Sequence, residues 1–212
     1  MKLAFIGPPG SGKGTYAQRV GPKLGIPQIS TGDLLREEVA KKTEIGKKIK
    51  DTMESGELVS DDIVAELLKK RLDQPDAQKG FILDGYPRNR VQAEALEEIT
   101  GLDKVVNLVV PDEIVIYRLG GRRTCGDCDT LFNINTMAPK KEGICDECGG
   151  ELIQRKDDTP EVIKDRLQTY ENETKPIIDF YRDKGLLVDV QCDEADIPPE
   201  VIVEKIMEKL GN

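Results

Sequence analysis

The chain has 212 residues, 38% of them apolar and 33% charged, with 40 acidic against 31 basic side chains and a formal net charge of −9. That length and apolar content support one α/β domain with insertions and a core of its own, and exclude a disordered segment. The acidic balance excludes unspecific nucleic-acid binding by the surface as a whole, so any anion site has to be local.

Met1 and Lys2 precede only four apolar residues, Leu3 to Ile6, before a Gly-Pro run. This is too short for a signal peptide or a membrane span, and cytoplasmic location is the expectation. Residues 2 to 6 form a strand candidate, and Tyr16, Ala17, Val20 and Leu24 follow at helical spacing after Lys13. Further buried strands are predicted over 81–83, 105–110 and 186–190, each parted from the next by a helical stretch; such alternation implies a parallel sheet covered by helices on both faces. Two stretches break it. Residues 31–72 read as consecutive helices, and 122–157 are rich in Cys, Gly, Asp and Lys; both are expected to be insertions over the ligand edge of the sheet. A last helix is predicted over 198–210.

The first strand runs into Gly7-Pro8-Pro9-Gly10-Ser11-Gly12-Lys13-Gly14-Thr15. Closely spaced glycines permit a tight loop whose backbone N–H groups face phosphate oxygens, and the following helix adds the positive end of its dipole. Lys13 supplies a mobile charge for the β- and γ-phosphates. The general P-loop pattern has Ser or Thr directly after the lysine, whereas here Gly14 comes before Thr15, which weakens the case for direct ligation of magnesium by a hydroxyl. A plain glycine turn between strand and helix is the competing reading. After the strand 81–83 comes Asp84-Gly85-Tyr86-Pro87-Arg88, at the strand end where ligands collect in parallel sheets. Asp84 there can hold a magnesium-bound water, and Arg88 can reach a phosphate. Ser30 to Arg36 and Gly56 to Asp61 accompany it.

With these motifs the chain resembles the adenylate kinase family over nearly its whole length: residues 7–15 meet G-x-P-G-x-G-K-G-T in full, so Gly14 is a family trait, and residues 84–88 meet D-G-[FY]-P-R. The resemblance implies a five-stranded P-loop kinase core of residues 1–29, 61–121 and 158–212. It implies a helical monophosphate-binding insertion at 30–60 and a zinc-ribbon-like lid at 122–157. It implies magnesium-dependent transfer of a phosphoryl group from ATP to AMP giving two ADP, by a monomer.

By the same resemblance AMP is bound by Thr31, Arg36, Glu57, Leu58, Val59, Gly85, Tyr86, Pro87, Arg88 and Gln92, with Arg155 and Arg166 shared with the donor. Gln92 would read adenine, since an amide's donor and acceptor match the N1 acceptor and N6 donor of that base. Without the flanking motifs, Thr31 would read as a helix cap and Gln92 as a solvated helix residue. ATP is bound by Gly10, Ser11, Gly12, Lys13, Gly14, Thr15, Arg118, Arg122, Leu131, Phe132 and Ala195, with Arg118 stacking on the donor base. Catalysis rests on Lys13, Asp84, Arg88, Arg122, Arg155 and Arg166, because phosphoryl transfer needs positioning and cations around charged oxygens. Asp157 and Asp158 correspond to acids that order the closed lid, and Thr159 with Pro160 reads equally as a helix start.

Cys125-x-x-Cys128 and Cys145-x-x-Cys148 are separated by sixteen residues, the spacing of a tetrahedral four-thiolate zinc site. The chain has no histidine, so all ligands are sulfur and the metal is structural. Surface thiols or two disulfides are the alternatives, and Cys192 reads as a packing residue. A P-loop joined to a nucleic-acid zinc ribbon is the competing function. Against it stand Asp127, Asp129, Glu142, Asp146, Glu147 and Glu151 in the ribbon, where strand binding needs basic and aromatic residues. Within the enzyme class the nearest competitor is a kinase of another monophosphate, or one taking GTP.

Overall fold

The computed structural model describes residues 1–211. Strands β1 (Lys2–Ile6), β2 (Gln28–Ser30), β3 (Phe81–Asp84), β4 (Lys104–Val109) and β8 (Leu187–Gln191) form one parallel sheet in the order β2-β3-β1-β4-β8. The central strand β1 pairs Leu3 with Ile82 on one side and with Lys104 on the other. Its side chains alternate between faces, as a strand's geometry requires. Leu3 and Phe5 join the core under α1 (Lys13–Leu24), α6 (Asp112–Gly121), α7 (Pro160–Thr169) and α9 (Pro199–Lys209). Ala4 and Ile6 join the core of the other face, under α2 (Thr31–Ala40), α3 (Glu44–Glu54), α4 (Asp61–Leu72), α5 (Arg90–Ile99) and α8 (Ile177–Asp183). The alternation of the sequence thus becomes a three-layer α/β fold.

Two edges differ from the sequence expectation. The periodicity located four of the five strands that the resemblance implies and missed the three-residue β2: only Ile29 in it is buried and apolar, too little for a period to register. Strand β4 ends at Val109, one residue before the predicted limit, because Val110 precedes Pro111, which starts a new helix.

Helices α2 and α3 lie between β2 and α4. Ser30, and not Thr31, caps α2: its Oγ accepts from the Asp33 N–H at 3.2 Å. Thr159 caps α7, with Pro160 in its first turn. Between α6 and α7 the chain forms a separate antiparallel sheet, β6 (Leu131–Asn133), β5 (Arg122–Cys125) and β7 (Leu152–Ile153), in the order β6-β5-β7. Its own core is Cys125, Phe132, Cys145 and Leu152 alone. Ile134 and Ile153 are each 48% exposed. No described helix is long and apolar enough to cross a membrane.

Candidate active site

The loop between β1 and α1 opens at the carboxyl end of the central strand. Gly12 sits immediately before α1 at φ 96°, a conformation that side chains other than glycine's rarely adopt, and a Cβ there would lie 2.7 Å from the Tyr16 ring. At Gly14 the constraint is proximity: a Cβ would meet Asp84 Oδ2 at 3.0 Å. The glycine after the lysine therefore lets α1 approach the carboxylate at the end of β3, which accounts physically for the departure from the general P-loop pattern.

Lys13 Nζ donates to the Gly7 and Pro8 carbonyls, each at 2.8 Å, and lies 3.3 Å from Ser11 Oγ. Burial lowers its pKa to about 7; the charge of Asp84 opposes this, and Arg88, Arg166 and Arg122 reinforce it. Asp84 moves the other way. Burial raises its pKa, Lys13 pulls it back, and the neighbouring Asp33 adds to the rise, while Gln28 Nε2 donates to Asp84 Oδ2 at 3.1 Å. A buried acid with a second acid beside it and a hydroxyl-bearing loop opposite is a donor set suited to a hard divalent cation such as magnesium.

Guanidiniums converge on the same cleft from several elements. Arg122 makes a bidentate pair with the wholly buried Asp158, Nε to Oδ2 at 2.7 Å and Nη2 to Oδ1 at 2.5 Å. Arg166 Nη1 donates to Asp157 Oδ2 at 2.8 Å and to Asp158 Oδ1 at 3.2 Å. Two acids at the lid exit thus hold two arginines in fixed directions. Arg155 Nε donates to Thr124 Oγ1 at 3.0 Å, and Arg88 Nε to the Gly85 carbonyl at 2.8 Å. Burial, together with the charge of Arg122, lowers Arg155 and Arg166 to about 10, so both remain cations at neutral pH. Arg36 pairs with Asp33 along α2. Arg118 Nη2 donates to the Glu194 carbonyl at 2.9 Å and to the Ala195 carbonyl at 3.2 Å, tying α6 to the segment after β8.

Of the residues expected from the sequence, one cleft is lined by Gly10, Gly12 to Thr15, Arg36, Glu57 to Val59, Asp84, Gly85, Pro87, Arg88, Arg118, Arg122, Leu131, Phe132, Arg155, Arg166 and Ala195. Ser11, Thr31, Tyr86 and Gln92 lie outside its wall and are buried. The Thr31 hydroxyl donates to the Gly85 carbonyl at 2.9 Å, so Thr31 is not the helix cap, and Gln92 is 2% exposed, so it is not a solvated helix residue. Gln28 and Asp33 line the cleft beside Asp84 without having been assigned roles; the only sequence signal for Asp33 was its place in the motif Ser30 to Arg36.

In the lid the four cysteine sulfurs lie within 4.8 Å of one another. Sγ separations are 3.4 Å for Cys125–Cys148, 3.6 Å for Cys128–Cys145 and 3.3 Å for Cys128–Cys148, near the edge of about 3.8 Å that zinc–sulfur bonds of ~2.3 Å give a tetrahedron. All four sulfurs are drawn to one point instead of into two separate pairs, an arrangement that suits four ligands of one ion better than two disulfides. The Asp127 N–H points at Cys125 Sγ at 3.4 Å, the kind of outer contact that orients a thiolate ligand. Cys192 is buried in the core, as a packing residue.

A parallel sheet with a glycine loop at its central strand, an acid at the next strand end and arginines supplied by an inserted lid defines a P-loop phosphotransferase acting on nucleotides. The family model for adenylate kinase matches residues 5–186. Curated adenylate kinases are similar throughout: that of Archaeoglobus fulgidus is 51% identical over 99% of both chains, and that of Caldicellulosiruptor saccharolyticus 50% over 95% of this chain and 97% of its own. That of Thermodesulfovibrio yellowstonii is 52% identical over 90% of this chain and 91% of its own. The chain belongs to the adenylate kinase family, enzymes of phosphoryl transfer between ATP and AMP.

Proposed function

We propose that the cleft carries the reversible reaction ATP + AMP ⇌ 2 ADP, with ATP phosphates in the loop of residues 7–15 and the AMP phosphate between Arg36 and Arg88. The observation that carries this is the convergence of Lys13, Asp84 and arginines from the core and the lid on one cavity. The loop N–H groups and the start of α1 bind the donor phosphates, and Lys13 leaves the Gly7 and Pro8 carbonyls to reach them. Arg88, Arg122, Arg155 and Arg166 surround the transferring phosphoryl group, whose charge is spread over its equatorial oxygens. Magnesium, held at Asp84 and near Thr15, would neutralise part of that charge. Arg118 and the Ala195 backbone, with Leu131 and Phe132, take the donor nucleoside; Thr31, Glu57 to Val59, Gly85 to Pro87 and Gln92 take the acceptor.

Residues 30–60 and 122–157 act as two lids on a core of 1–29, 61–121 and 158–212, and close to exclude water that would otherwise hydrolyse ATP. Two contacts support this: Lys156 Nζ of one lid bonds Glu54 of the other at 2.9 Å, and Gly56, in the same lid as Glu54, lies close against Val162 and Arg166 of the core. The four lid cysteines hold one structural zinc ion. The enzyme works as a monomer, since one chain supplies every group named, and in the cytoplasm, where paired Cys-x-x-Cys units serve as metal ligands and are not oxidised to disulfides. Nucleic acid has no part in this reading, given the acidic lid. A coupled assay pairing ATP or GTP with AMP, GMP, CMP or UMP tests it. ATP with AMP is expected to be preferred, and preference for another monophosphate would contradict it.

A further inference from the structure

The tie that holds Gln92 has no part in the chemistry above. Gln92 Nε2 donates to Asp61 Oδ1 at 2.8 Å, and its Oε1 accepts from the Arg88 backbone N–H at 2.8 Å. Asn89 Nδ2 donates to the same Asp61 oxygen at 3.0 Å, while Asn89 Oδ1 accepts from the Gln92 N–H at 2.8 Å. The Arg88 carbonyl, in the next peptide unit, accepts from the Thr174 hydroxyl at 2.6 Å, so the residue whose N–H meets Oε1 is anchored on its other side as well. A carboxylate only accepts and a backbone N–H only donates, so these partners allow the amide one orientation. Turned round, its oxygen would face a carboxylate and its NH2 an N–H. Each tie uses one amide hydrogen or one lone pair, leaving one of each for a ligand.

Orientation decides which base the amide can read. Adenine offers a ring-nitrogen acceptor beside an exocyclic NH2 donor, whereas a 6-oxopurine offers a ring N–H donor beside a carbonyl acceptor. An amide turned round would suit the second pair as the present one suits the first. We propose that Asp61 is a specificity-determining positioning residue: by fixing Gln92 one way round, it makes the monophosphate site accept a 6-aminopurine and refuse a 6-oxopurine. This rests on the reading of Gln92 as the base contact. Asp61 opens α4 about thirty positions before Gln92 and closes the motif Gly56 to Asp61, whose other members Glu57 to Val59 line the cleft while Asp61 itself has no role in the mechanism above.

Steady-state kinetics with AMP and with inosine monophosphate test this, on the parent, Asp61→Ala, Asp61→Asn, Gln92→Ala and the control Asp62→Ala. Asp62 is exposed in the same first turn of α4. For Asp61→Ala the AMP-to-IMP ratio of kcat/KM is expected to fall about tenfold, through KM for AMP, with KM for ATP unchanged. Asp61→Asn, which can turn either an oxygen or an NH2 to Gln92, is expected to fall about threefold. Asp62→Ala should leave the ratio alone. An unchanged ratio in Asp61→Ala, beside a lowered one in Gln92→Ala, overturns the role of Asp61. An unchanged ratio in Gln92→Ala overturns the base contact beneath it. A parallel loss of both substrates in Asp61→Ala reduces the residue to a structural one. If Asp61→Ala does not fold, an unchanged ratio in Asp61→Asn is decisive against the proposal.

Discussion

At the scale of single residues, burial holds Lys13, Asp84, Arg88, Arg155 and Arg166 of the cleft away from their ordinary pKa values. Lys13 illustrates the consequence. Burial brings its pKa to about 7, so above neutrality the free protein carries this side chain largely uncharged. Triphosphate oxygens favour the ammonium form, hence binding raises the pKa again and takes up a proton at any pH between the two values. The sign is definite: ATP affinity falls as pH rises above about 7. Calorimetry at pH 8, in two buffers of different ionisation enthalpy, is expected to report net proton uptake on ATP binding. Zero uptake would show that Lys13 is already charged.

Kinetic weight follows from the same charges. Lys13→Ala or Arg88→Ala is expected to lower kcat about 10³-fold or more, since cations that meet a transferring phosphoryl group have effects of that order. A loss under about tenfold, ~1.4 kcal/mol, would remove the residue from the transition state. Motif spacing made Lys13, Asp84 and Arg88 legible before any coordinates. Gln28 and the Asp61–Gln92 tie were not, because neither pattern nor composition marks a hydrogen bond between elements distant along the chain.

At the scale of elements, the lid is the part least able to stand by itself. Seven large apolar side chains were available to it in the sequence, yet Ile134 and Ile153 are half exposed and the buried cluster is Phe132 and Leu152 against two cysteines. So small a core cannot offset the ordering of some thirty residues. A structural zinc site contributes an apparent binding free energy of about 10–16 kcal/mol, which adds substantially to what so small a core supplies. Chelation, or Cys145→Ser, is expected to lower the melting temperature and the activity by loosening Arg122 and Arg155, while ATP still binds the core through its loop. Metal analysis should find one zinc per chain; a metal-free protein with an ordered lid would contradict this.

Among the other elements, long apolar runs such as β1, β3 and β4 were legible because both faces of a parallel strand are buried. Strand β2 was not, with one core residue in three. Nor could the sequence show that Ser30 takes the cap of α2 and leaves the Thr31 hydroxyl to bond the Gly85 carbonyl.

At the scale of the molecule, a chain of net charge −9 gathers Lys13, Arg36, Arg88, Arg118, Arg122, Arg155 and Arg166 on one cleft. The arginines near positions 118–123 and 155–166 are visible in the sequence as flanks of an insertion. That they face the loop of residues 7–15 is a property of the fold, because the insertion leaves and re-enters the core beside the carboxyl end of the sheet. The central claim is that both nucleotides occupy this single cleft. Its most direct measurement is titration with a bisubstrate analogue, two adenosines joined through five phosphates, combined with inhibition kinetics. One analogue per chain, competitive with both ATP and AMP, is the expected result. Two analogues per chain, or competition with only one nucleotide, would mean that donor and acceptor sites are separate.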